Sequence, residues 1–402
     1  MKLKETFQFL KSIVHFLLSK EGLSKLKSFL LADKKIKKLN KVDIVIYDSS
    51  NKDIFLPYLK NLTYEILDTR MKEINLNVLF RLFFSLKSLN MKNYTFEFLK
   101  RCNPKIILTF TDNNPNFYLL KKILPNSITI AIQNGMRTQD IFMKLKNFKN
   151  LEVDYIFTFG KAIQEKYKSS IKIKNLVTLG SFKNNMIKKS SNKRRNSIAF
   201  ISTGFIKQFK FYQIDETTNL KLISPKTFFS PEYNLLPKLL KYCEANNKKL
   251  EIVGRIRDKK KSYEEYEWYK EILGEKNFTF FEFGKKYSAY QISDEVEAIV
   301  NIYSAFGLEV VARGPRIAFF HLRHHVLSQS YHCFWPGKIN LKGDFWTDEV
   351  SQEEVERVLD YCLKANEAEW NSSIKKIMPY LITFDKDNET FNDTIKKILN
   401  KY

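Results

Sequence analysis

Cysteine is scarce and scattered: four among 402 residues, at Cys102, Cys243, Cys333 and Cys362, with no CxxC pair. That spacing argues against a disulfide framework and against a structural zinc site, and it fits a reducing cytoplasm. No segment reaches the ~18 uninterrupted apolar residues that a membrane-spanning helix needs. The apolar stretch near the amino terminus lacks a small-residue cleavage site, which argues against a secretory signal. A GxGxxG fingerprint is missing, disfavouring a nicotinamide cofactor, and so is a Walker A lysine motif, disfavouring an NTPase. The chain shows no helix-turn-helix, zinc-finger or RNP-type motif, so nucleic acid is not the expected partner.

What the chain has in abundance is positive charge. Its 68 Lys and Arg against 44 Asp and Glu leave a formal +24. Such a balance suits an anionic partner, whether nucleic acid, acidic lipid headgroups or sugar phosphates. It equally suits the lysine-rich composition that AT-rich genomes impose. Hydrophobic residues make up 44%, with 34 Phe and 20 Tyr, enough for real cores. The length allows two domains of roughly 100–200 residues.

Residues 1–40 stand apart. "FQFLKSIVHFLLSKEGLSKLKSFLLADKKIKKLNK" repeats apolar residues at helical spacing among lysines and ends in a basic run. This pattern predicts a helix lying on an anionic membrane surface, with an ordinary packed helix as the alternative. From residue 41 short β-branched runs alternate with helical patterns. Strands are expected at 42–48, 105–110, 127–132, 153–159 and 175–180, read as buried and parallel. A polar, basic stretch at 183–197 reads as a linker. A second series is expected at 197–202, 249–254, 278–283, 297–302 and 316–320, with a helix over 232–247. The expectation is α/β: two Rossmann-like lobes facing a cleft, over 41–190 and 191–402.

In such sheets ligands bind beyond the carboxyl ends of the strands. Those ends carry Asp112 and Asn113, then Gln133, Asn134, Gly135 and Arg137, then Gly160, then Gly180, Ser181 and Asn184. In the second lobe Arg255 and Arg257 follow a strand, with the fork geometry that grips phosphate or carboxylate. "NIYSAFGLEVVARGPRIAFF" (301–320) reads as strand, turn, helix, strand. There Ser304 would cap the helix whose positive end meets a phosphate, Gly307 would let a ligand approach, and Glu309 would accept hydroxyl hydrogen bonds. Glu232, after Pro231, is expected to point into the cleft as nucleophile or general base, or else merely to favour the positive end of its helix. Asp112 is the rival carboxylate. Four of the five histidines lie in "HLRHHVLSQSYH", but without ligand spacing they do not make a metal site.

The ordered series "FTDNNPNFY", "IAIQNGMR", "VDYIFTFGKAIQEKY", "LGSFKNN", "IVGR", "YSAFGLEVVARG" and "GDFW" resembles the bacterial surface-carbohydrate biosynthesis transferases over roughly residues 42–365. "SAFGLEVVARG" is also similar to the Ser-x-x-Gly-x-Glu-Ala segment of lipopolysaccharide and capsule β-Kdo transferases. It differs at Ala305-Phe306 and Val310-Val311, where relatives often show Thr-Leu and Ala-Leu. The resemblance implies a GT-B fold and a glycosyltransferase moving Kdo or a related acidic sugar from a CMP donor to a glycan or glycolipid acceptor. It implies a donor site including Arg255, Arg257, Ser304, Ala305, Gly307 and Glu309, and no cofactor. Asn113, Gln133, Asn134, Arg137 and Ser181 fall to the acceptor. Such enzymes often work without metal, leaning on basic groups and helix dipoles, and the expected place is the inner face of the cytoplasmic membrane. A UDP- or GDP-hexose donor and an inactive scaffold of polysaccharide assembly are the alternatives.

Overall fold

The structure, a computed structural model, describes residues 30–192, 195–207, 211–214, 220–284, 288–327 and 341–401. Most of the amphipathic amino-terminal segment, residues 1–29, lies outside the described residues. Its basic end is not helical: Asp33–Lys35 (β1) is a short exposed strand, paired in parallel with Glu73–Asn75 (β4).

The first sheet holds β2 (Ile44–Tyr47), β3 (Tyr64–Leu67), β5 (Ile106–Thr109), β6 (Ile128–Ile132), β7 (Glu152–Thr158) and β8 (Lys172–Thr178). Its order is β3-β2-β5-β6-β7-β8, and every pairing is parallel. The inner strands IVIY and IILT are buried at all four positions, as continuous apolar runs with helices on both faces should be. All five expected strands of this lobe form.

Ser197–Ile201 (β9) opens the second sheet. A hairpin of Phe211–Ile214 (β10) and Leu220–Ile223 (β11) follows, then Lys249–Val253 (β12), Thr279–Phe281 (β13), Ala298–Asn301 (β14), Ile317–Phe320 (β15) and Trp346–Thr347 (β16). The order is β13-β12-β9-β14-β15-β16, again wholly parallel. The first strand, β9, is central: the chain builds outward to one side through β12 and β13, then crosses to β14. The switch point, where such sheets open a ligand crevice, therefore lies between β9 and β14.

The carboxyl end of the first sheet faces the second lobe. Phe159 and Ala162, just past β7, are buried members of the second lobe's core, and Met136, just past β6, packs against it. The chain also crosses between the lobes twice. The first crossing, expected as an aperiodic linker, begins with a helical turn, Phe182–Met186, capped by Ser181. Its later part is tied to the second lobe, where Ser190 and Arg195 both bond to Glu295.

The return crossing corrects the expected lobe boundary. After the helix Glu367–Leu381, the chain passes the carboxyl ends of β7 and β8 and ends in the helix Glu389–Leu399, which packs on the first lobe. Phe391, Ile395 and Ile398 join the core beside Ile44, Phe55 and Phe182, with Phe391 and Phe182 edge-to-face at 4.9 Å. Two glycines make this passage fit. A Cβ on Gly160 would lie 2.4 Å from the Leu381 carbonyl, and one on Gly180 would lie 2.0 Å from the Thr383 oxygen. Gly180 also has φ of +80°, the left-handed region open to glycine.

Candidate functional site at the lobe junction

Two elements flank the switch point of the second sheet: the loop after β9, Ser202–Phe205, and the helix Ala305–Arg313 after β14. Ser304 caps that helix, its hydroxyl accepting from the Phe306 amide at 3.3 Å. Asn301, the last residue of β14, fixes the turn by accepting from the Ser304 amide at 3.1 Å and donating to its carbonyl at 3.2 Å. Gly307 is needed for this packing. A Cβ there would lie 2.4 Å from the Asn301 amide, so the glycine serves the turn where ligand approach was expected. Ala305 is the first helical residue and is half-buried.

Glu309, one turn on, reaches the other lobe. Its carbonyl accepts from Asn184 at 2.7 Å, and its carboxylate accepts from the Tyr290 hydroxyl. Burial raises its pKa above the ordinary glutamate value, while the Tyr290 bond, the Lys183 charge and a bond from Ser181 pull the other way. Arg313 closes the same boundary, with Nε 2.8 Å from Asp294 and Nη1 bonded to the Asn184 and Ile187 carbonyls. Ser304, Glu309 and Ser181, far apart in sequence, thus belong to one junction.

Glu232 does not point into the cleft. It is fully buried at the start of the helix Ser230–Ala245. Its Oε2 accepts from Arg323 at 2.8 Å, and its Oε1 accepts from both Arg323 and Thr203, the latter at 2.8 Å. Arg323 is itself buried, its guanidinium 4.3 Å from the Phe228 ring centre and 5.7 Å from those of Phe229 and Tyr303. With three hydrogen bonds, two of them from a buried guanidinium, this carboxylate is held inside the lobe as the partner of Arg323. It pins the loop after β9 to the loop after β15.

Asp112 is occupied in the same way. It is buried, takes Arg137 Nε at 2.7 Å and the Asn134 amide at 3.1 Å, and accepts from Tyr167. Burial opposes the charge on Arg137, and Asp112 more than restores it, so the guanidinium pKa is raised. The expected acceptor residues Gln133, Asn134 and Arg137 bond mainly to the loops at the first lobe's strand ends, and Arg137 also donates to Asn134. Asn134 donates to the Phe110 carbonyl at 2.6 Å; buried Gln133 bridges the Gly135 carbonyl and the Phe159 amide. Asn113 alone of this set is exposed.

Arg255 and Arg257 follow the end of β12, and both are exposed. Arg255 donates to the Thr203 carbonyl at 3.2 Å, which sets it beside the switch point, while Arg257 lies over Phe283 at 4.9 Å. The histidine-rich stretch falls partly outside the described residues. Within them His321 is buried against Phe319, and no group of three His, Cys, Asp or Glu side chains converges.

A family model described as "putative O-antigen biosynthesis protein" matches residues 130–399. The chain belongs to this family. No curated protein matches it in sequence. Among solved structures, the wall teichoic acid polymerase TagF superimposes at a TM-score of 0.55 with 12% identity, covering 99% of this chain and 98% of that one. A TagF variant soaked with CDPG gives 0.52 at 12% identity over the same shares. A "putative UDP-N-acetylglucosamine 2-epimerase" from Listeria monocytogenes gives 0.54 at 12% identity, covering 90% and 98%. These likenesses show the fold, and the fold is GT-B.

Four residues around the site were not among those expected from the sequence: Arg323, Thr203, Tyr290 and Glu265. Glu265 is buried and accepts from Ser202 and from the Arg255 amide, holding the loops after β9 and β12 together. Burial raises its pKa against those hydrogen bonds. Arg323 and Thr203 each closely follow a strand, the same signal that marks Arg255.

Proposed function

We propose that this chain is a glycosyltransferase of surface-polysaccharide assembly, taking a nucleotide-activated sugar in the second lobe and a glycan or glycolipid acceptor in the first. One observation carries the reading: the Ser304-capped helix stands at the switch point of the second sheet and touches the first lobe through Glu309. A helix start there offers backbone N–H groups and a positive dipole end to a diphosphate or phosphate. Arg255 supplies a neighbouring cation, and Glu309 an acceptor for sugar or ribose hydroxyls. An acidic sugar on a cytidine nucleotide is the donor class we favour. The likeness of 301–320 to β-Kdo transferases supports it, as does the CDPG soak of the structurally similar polymerase. The lysine-rich residues 1–40 would hold the enzyme to an anionic membrane surface, where such acceptors reside.

A second reading has an observation in its favour. Glu232 and Asp112, the two expected catalytic carboxylates, are both locked in buried ion pairs, as a transferase-like scaffold would tolerate. Calorimetric titration with CMP, UDP and GDP separates the readings. Binding of one nucleotide, weakened by Ser304→Ala and Glu309→Gln in folded protein, supports the transferase site; binding of none supports the scaffold.

A further inference from the structure

The helix Leu76–Phe84 carries two apolar faces. Val78 and Leu82 point inward and are buried in the first lobe's core. Phe80, Phe83 and Phe84 point outward, with exposures of 52%, 48% and 80%, and Leu86 and Leu89 extend the surface at 42% each. A single exposed leucine is ordinary, but five large apolar side chains within ten residues form a patch of the kind that marks an interaction site.

The end of this helix shows that fold stability alone does not select the sequence. The Lys87 amide bonds to the Leu82 carbonyl, and Leu86 takes φ of +52°. This closing turn normally places glycine or asparagine at the left-handed position, where a Cβ is penalised. Leucine there costs conformational energy and leaves much of its side chain in solvent, so burial within the fold does not fully repay it.

The charges around the patch specify the partner. From Leu76 to Lys92 the chain holds Arg81, Lys87 and Lys92 and no acidic residue. The β1–β4 pairing sets Asp33–Lys35 beside Glu73–Asn75, the strand that leads into this helix, and the exposed Leu30, Leu31, Ile36 and Lys38 flank β1 in the chain. Aromatic and leucine side chains set among cations match a bilayer interface, where rings lie at headgroup depth and lysine stems reach anionic lipid.

We propose that the Phe80–Leu89 surface is a docking site for an anionic lipid bilayer, formed by the folded first lobe. This rests on that surface and not on the donor-site reading. It goes beyond the amino-terminal segment because it fixes which side of the lobe faces the membrane.

The test uses the full chain and vesicles of phosphatidylcholine with about one-third phosphatidylglycerol. A tryptophan introduced by Phe84→Trp should shift its emission to the blue on vesicle addition and be quenched by brominated lipid. Phe80→Ser/Phe83→Ser/Phe84→Ser should lower vesicle partitioning by about tenfold or more, since each ring forfeits part of its burial energy, with an unchanged melting temperature. Vesicle binding that leaves the introduced tryptophan unquenched would overturn the proposal, as would no binding at all. An emission already blue without lipid, turning red when residues 2–29 are deleted, would assign the patch to the chain's own amino terminus and overturn it equally.

Discussion

Glu232→Gln distinguishes a catalytic carboxylate from a structural one. The substitution keeps the shape of the side chain and removes its charge, leaving the Arg323 guanidinium enclosed by Phe228, Phe229 and Tyr303. Removing one partner of a buried pair costs about 3–5 kcal/mol, because the other charge stays desolvated and uncompensated. For a lobe of this size that converts to a fall of roughly 6–20 °C in melting temperature. Replacing both partners, as Glu232→Leu with Arg323→Met, should recover most of the loss, since an apolar pair of similar volume fits the same aromatic surroundings. Urea unfolding followed by tryptophan fluorescence reads this lobe directly, because Trp268 and Trp370 are both buried in its core. A Glu232→Gln protein that melts with the parent yet has lost transfer would refute the structural role and restore the nucleophile.

Two further outcomes follow from the junction and the return crossing. Glu309 has a raised pKa in the folded protein, so the folded state holds its proton more tightly than the unfolded state does. Its contribution is therefore fully present below the ordinary glutamate pKa and is lost as pH rises through the folded value. Glu309→Gln should flatten that part of the stability–pH curve, measured by urea midpoints, whereas an unchanged slope would reject Glu309 as its source. Gly180→Ala places a methyl group against the Thr383 carbonyl at a left-handed backbone position. It should destabilise the first lobe by about 1–3 kcal/mol and speed proteolysis after Leu381; parental cleavage kinetics would contradict this packing.

The central strands were legible because burial on both faces leaves an unbroken apolar run, as in "IAIQ" and "SIAFIS". β3 was not legible for the opposite reason: it is an edge strand, its YEIL mixing exposed and buried positions, and so carries no such run. β16 has two residues, too few for any periodicity. At the junction, Ser304 was readable because a helix start is local chemistry. The fates of Glu232 and Asp112 were not. A strand end predicts that a carboxylate lies near the cleft, but its neutralising cation sits 91 residues away in one case and 25 in the other. Gly307 shows the same limit: its small size was legible, and the Asn301 side chain that demands it was not.

The helix Glu389–Leu399 also sets an order on biosynthesis. A ribosome delivers the first lobe's six strands early, yet one face of their sheet stays without Phe391, Ile395 and Ile398 until the second lobe has been translated. Domains generally fold as units, amino-terminal first, during synthesis. Here the earlier lobe emerges with an open apolar surface and closes it last. Its maturation is thereby coupled to completion of its neighbour, and a nascent chain stalled within the second lobe would present Ile44, Phe55 and Phe182 to chaperones instead of a finished domain.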